Sequence, residues 1–244
     1  MLTGLTQDWL TNLVLPIIAL IILTFSARVV WRHRWFSIRP VLSTYIWFVA
    51  ITGALALVIC LLQIPKALTY AACKLYFVVY YAASILTSLF SVAVLYEFLF
   101  RMAGTSKTIQ RTALVGFLIA LSGDLAAAYW LANQWPVNRL ENAARFLFET
   151  TALTLLVSGA LIFAIKKSRS LFLETRLSVV LAALPLYNFI VLLIAIILRR
   201  KEQLDQVVAD IIWIGFSILL YWALKNGPAT SGPAASTGEL PVKA

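Results

Sequence analysis

Seven apolar runs of membrane-spanning length divide this chain, and only a lipid bilayer accommodates all of them at once. A spanning helix needs about 20 consecutive, mostly apolar residues. Such runs cover residues 9–27, 41–64, 75–99, 112–131, 146–165, 177–198 and 207–224. None alternates with the period of two that a membrane β-barrel strand requires. The expected fold is therefore all-α, a polytopic membrane helix bundle of seven transmembrane helices. Residues 1–225 form the membrane domain. Residues 226–244 are rich in Gly, Pro, Ser, Thr and Ala and read as a disordered tail.

Composition supports lipid as the solvent. Only 12% of residues are charged, about half of what a soluble domain carries. The net charge of +10 would suggest nucleic acid in a soluble protein. Here the cations sit in short clusters between apolar runs, so they read as topology signals and lipid head-group contacts. The expected partners are the bilayer and a cytoplasmic or membrane protein, and no nucleic acid. Residues 1–8 lack the basic region of a cleavable signal, so the first run is expected to stay as a mature helix.

Sidedness follows from the positive-inside rule. With the N-terminus outside, the cytoplasmic segments hold Arg28, Arg32, Arg34, Arg39, Arg101, Lys107, Arg111, Lys166, Lys167, Arg169, Arg176 and the C-terminal lysines. The outside segments hold fewer cations, although Arg199, Arg200 and Lys201 dissent. The rule thus expects an outside N-terminus and a cytoplasmic C-terminus. Trp31, Trp35, Tyr76, Trp130, Trp135 and Trp222 fall near span ends and read as interfacial anchors.

Acids within spans are costly and usually face the protein interior or water. Asp124, Glu149 and Asp210 each fall in a span, and the orientation projects all three toward the outer half of the bundle. They are the leading candidates for a ligand or proton site. Polar stripes at helical spacing accompany them: Asp210, Trp213, Ser217 and Tyr221 on the seventh span; Tyr80, Ser84, Thr87 and Ser91 on the third; Thr150, Thr154 and Ser158 on the fifth. Asn188 lies close to Pro185 on the sixth span. Glu97 and Arg101 are one turn apart, which suits an ion pair at the membrane edge. Cys60 and Cys73 fall near the outer side, where a disulfide between them is sterically feasible, although reduced buried thiols are the commoner outcome.

Several chemistries find no support. The lone histidine, His33, argues against bis-histidine haem and histidine-rich metal sites. No Gly-x-Ser-x-Gly elbow and no phosphate-binding Gly-x-x-x-x-Gly-Lys loop occurs. No metal, no cofactor and no catalytic constellation is expected, so the chain is not read as an enzyme.

The seven-helix layout is similar to that of microbial rhodopsins, which carry a retinal lysine midway along the last helix. In this chain Phe216 and Ser217 occupy that depth and Lys225 ends the span, so a retinal pigment is rejected. The layout is also similar to the seven-helix input modules of bacterial sensor kinases, without a following kinase pattern. The segments Tyr80-Tyr81-Ala82-Ala83-Ser84 and Val94-Leu95-Tyr96-Glu97-Phe98 resemble a stretch in uncharacterised seven-helix proteins of soil bacteria. That resemblance implies a bacterial inner membrane.

The sequence therefore supports first a receptor-like or sensory module binding a small ligand or membrane partner in the outer half. The alternatives are a small proton-coupled transporter using the intramembrane carboxylates and a structural or assembly subunit of a membrane complex.

Overall fold

A computed structural model describes residues 14–63, 70–103, 106–134, 139–168, 175–197 and 202–225, with side chains described at 14–58, 78–103, 106–134, 139–166, 176–194, 196–197 and 207–225. Among these residues there are eight helices and no strand. They are α1 (Leu15–Arg32), α2 (Trp35–Ile38), α3 (Pro40–Gln63), α4 (Tyr70–Met102), α5 (Lys107–Asn133), α6 (Arg139–Ser168), α7 (Thr175–Ile197) and α8 (Glu202–Leu224). All but the short α2 are long and apolar enough to cross a membrane. The side chains of Cys60, Cys73 and Tyr76, together with Trp135 and the tail, lie outside the described residues.

Local chemistry explains the helix ends. Pro16 occupies the first turn of α1, where its missing N–H costs nothing. Pro40 opens α3 for the same reason. Between α1 and α2 the backbone reverses through Arg34, whose φ of 54° is left-handed. Several helices outrun their apolar cores. α4 has 33 residues and α6 has 30. At 1.5 Å per residue α4 reaches about 50 Å, well beyond the roughly 30 Å hydrocarbon layer. α6 starts at Arg139 rather than near residue 146, because its charged first turns continue the helix beyond the apolar run.

Six helices form a ring in the order α1, α3, α4, α6, α7, α8, closed by contact between α8 and α1. α5 stands outside this ring and packs on α4 and α6. Large apolar side chains such as Ile21, Phe25, Ile51, Leu114, Ile119, Val157, Leu161 and Ile197 point outward and are exposed. Such a surface would associate in water and is satisfied by lipid. The buried core occupies one half of the ring and includes Val30, Leu42, Ile46, Leu95, Leu155, Leu181 and Leu220. At one point α6 and α7 approach closely, with Gly159 facing the Pro185 ring.

This packed half is sealed at its end. Trp35 is buried at 1% exposure, and its Nε1–H donates to the Leu224 carbonyl at 3.4 Å. Trp35 is thus a plug joining α2 to the end of α8, not the interfacial anchor its position suggests. Trp31, Trp130 and Trp222 are exposed as anchors should be. The guanidinium of Arg39 lies over the Phe98 ring, 5.3 Å from its centroid.

Glu97 also departs from expectation. It is buried, and its two carboxylate oxygens accept the backbone N–H groups of Val41 and Leu42 at 3.1 and 2.9 Å. These are donors that the first turn of a helix leaves without an intrahelical partner. The expected Glu97–Arg101 ion pair does not form: Arg101 is exposed, while Glu97 turns inward to the positive end of α3. A buried helix start with no water to satisfy it binds the carboxylate better than a cation that the head-group region already solvates.

Candidate functional site

In the other half of the ring the core gives way to a cavity of about 600 Å³. Its lining comes from all six ring helices and from none of α5: from the first half of α1, the first turns of α6, the middle of α3, α4 and α8, and the second half of α7. Antiparallel neighbours place these segments at one end of the bundle, opposite the Trp35 plug. Among the described residues the cavity is a well floored by the packed core, with Glu141 and Arg145 of α6 exposed at its mouth.

Most of the wall is apolar, supplied by residues such as Leu15, Ala19, Leu20, Val49 and Ala56. Polar groups enter from α4, which contributes Tyr80, Ser84, Thr87, Ser88 and Ser91. Their three- and four-residue spacing puts them on one helix face. Ser84 and Ser91 turn their hydroxyls back to the carbonyls of Tyr80 and Thr87, both at 2.9 Å. This satisfies the hydroxyls at little cost and leaves the wall polar but uncharged.

Asp210 of α8 is the charged group set into the interior wall. Among the described residues its Oδ2 is buried without a hydrogen-bond partner. The phenols of Tyr45, Tyr80 and Tyr187 line the same cavity. Trp213, one turn along α8, lies on the same face. Its ring packs on Tyr187 with centroids 5.3 Å apart, and Tyr187 stacks on Phe216 at 4.9 Å and 15°. Beside them Asn188 is buried and donates its Nδ2–H to the Leu184 carbonyl at 2.8 Å. The side of the well where α7 meets α8 therefore joins a carboxylate to a braced aromatic wall.

The sequence-derived candidates divide among three places. Asp210, Tyr80 and Asn188 line the cavity. Asp124 does not: it is buried where α5 meets α6, with Oδ1 accepting the Thr154 hydroxyl at 2.8 Å. The Thr151 hydroxyl is buried beside the same carboxylate. Glu149 also lies off the cavity, half-buried and paired with Arg145 at 3.0 Å. Ser217 is wholly buried and its hydroxyl has no partner among the described residues, but it does not line the well. The three acids thus do not share one site, because α5 lies outside the ring and carries Asp124 with it.

The remaining stripe of α6 serves the same seam. Ser158 Oγ and the Tyr96 hydroxyl are 3.3 Å apart, and the Tyr96 ring packs on Phe117 of α5. Replacing Thr154 with the isosteric Val removes the hydroxyl that Asp124 Oδ1 accepts. We expect a loss of about 1–2 kcal/mol in unfolding free energy, read from denaturation in mixed micelles. An unchanged midpoint would show that this bond does not hold α5 to the ring.

Sequence reading missed Tyr45 and Tyr187. Each sits in a largely apolar span, where a tyrosine signals ordinary packing as readily as a cavity wall. The available signal was positional: Tyr187 precedes Asn188 and lies one turn from Val191, and Tyr45, Val49, Thr52 and Ala56 recur at helical spacing on the face of α3 that lines the well.

Among the described residues no group of three or more His, Cys, Asp or Glu side chains could hold a metal ion. No known protein family matches the chain, and no curated protein or solved structure shows significant similarity to it.

Proposed function

We propose that this chain is a receptor-like or sensory module of a bacterial inner membrane, binding a small ligand in the well. The single observation that carries the reading is the well itself. It is large enough for a drug-sized molecule, mostly apolar, and fitted with a few converging polar groups, as small-molecule sites are. Charge supports an outward mouth and an N-terminus outside. Among the residues with described side chains, Arg28, Arg32, Arg34, Arg39, Arg101, Lys107, Arg111, Lys166, Arg176 and Lys225 gather toward the plugged end, against Arg139 and Arg145 toward the mouth; over the whole sequence the bias is smaller, with Lys66, Lys74, Arg199, Arg200 and Lys201 on the mouth side. The plugged end then faces the cytoplasm, where a partner would be met.

A proton-coupled transporter is the second reading, favoured by the membrane-buried carboxylate of Asp124. It has less support, because Asp124 is off the well.

Thermal unfolding in nanodiscs across a small-molecule library tests the first reading. A ligand at a hundred times its Kd should stabilise the protein by about 2.7 kcal/mol. Thr87→Trp, which fills the well, should abolish the effect without lowering the unfolding temperature. Uptake of a binding compound into proteoliposomes under a pH gradient, lost in Asp124→Asn, would replace sensing with transport. If nothing binds, a structural or assembly role takes precedence.

A further inference from the structure

We infer that the ligand of the well is an organic cation, an ammonium group on an apolar body, seated between the Asp210 carboxylate and the rings of Tyr187 and Trp213. This rests on the reading of the well as a ligand site and specifies the chemistry it selects. A carboxylate in a low-dielectric wall stays charged only beside a compensating positive group. Among the described residues no Lys or Arg is within salt-bridge distance of Asp210. The nearest lining cation by position, Arg145 at the mouth, is held by Glu149 at 3.0 Å. The buried Oδ2 of Asp210 is left without a hydrogen-bond partner, a vacancy in bonding that an N–H donor or the soft positive surface of a quaternary ammonium fills.

The neighbouring rings suit the same charge. Aromatic faces attract ammonium groups, most strongly where both are shielded from water. Tyr187 and Trp213 cannot swing away, because Phe216 packs on both, at 4.9 and 5.7 Å. A bare divalent ion is a poorer fit. It wants several oxygen ligands with charge, and one carboxylate amid phenols does not supply them. The Leu15, Ala19, Leu20 and Val49 side of the well remains for an apolar body.

Equilibrium dialysis of the full chain in uncharged-lipid nanodiscs tests this with benzyltrimethylammonium and its neutral carbon isostere, neopentylbenzene. The cation should bind about tenfold tighter than the neutral compound. Asp210→Asn should erase that preference and leave neutral binding unchanged. Should Asp210→Asn fail to fold, Trp213→Leu makes the same comparison and should also weaken the cation selectively. If the neutral isostere binds as tightly as the cation, the cation assignment falls and the ligand site stands. If neither compound binds, both fall.

Discussion

Glu97→Ala should be among the most damaging single substitutions in the protein, costing about 3 kcal/mol of unfolding free energy. The carboxylate satisfies two backbone donors at the start of α3, from inside the packed half of the ring. Removing it leaves both N–H groups buried without a partner and withdraws the negative charge that the positive end of α3 favours. Glu97→Gln keeps one acceptor oxygen, turns an NH₂ group toward the second donor, and should fall between wild type and Ala. Denaturant titration in mixed micelles measures both. Equal stability of Gln and Ala variants would mean that the side chain acts through its bulk and not as a cap.

Gly159→Ala should be comparably costly for a steric reason. A Cβ at this position would lie 2.8 Å from Cγ and 3.3 Å from Cβ of Pro185. A proline ring cannot rotate aside, so α6 and α7 must separate, at a cost of about 2–3 kcal/mol. Pro185→Ala removes the ring and supplies the control. In that background Gly159→Ala should cost under about 1 kcal/mol, and the two substitutions should be strongly non-additive. Purely additive losses would place the strain elsewhere, for instance in the helix propensity of α6.

The seven spans were legible because hydrocarbon thickness imposes a length that apolar runs either meet or miss. Their arrangement was not legible, and that difference decides the site. Sidedness arguments put Asp124, Glu149 and Asp210 at similar depths, but depth says nothing about azimuth around the bundle. Only packing excludes α5 from the ring and so removes Asp124 from the well. The α4 stripe succeeded because four polar side chains repeat on one face, and a repeat fixes azimuth within a helix. Trp35 and Glu97 were misassigned for one shared reason. Both lie at membrane edges, where the ordinary expectation is contact with head groups, while the short α2 turns Trp35 inward and the start of α3 takes up Glu97. A four-residue helix following a left-handed arginine leaves almost no periodic signal to read.

The plug has a mechanical corollary. Asp210 in the wall of the well and Leu224 at the Trp35 contact belong to the same uninterrupted helix, α8. Fourteen residues of α-helix make a strut of about 21 Å. A strut of that length transmits piston and tilt displacements almost undiminished, since its internal hydrogen bonds resist stretching far more than side-chain contacts resist sliding. Movement of α8 along its axis at the open end is therefore movement at the Trp35 latch, on the far side of the bundle.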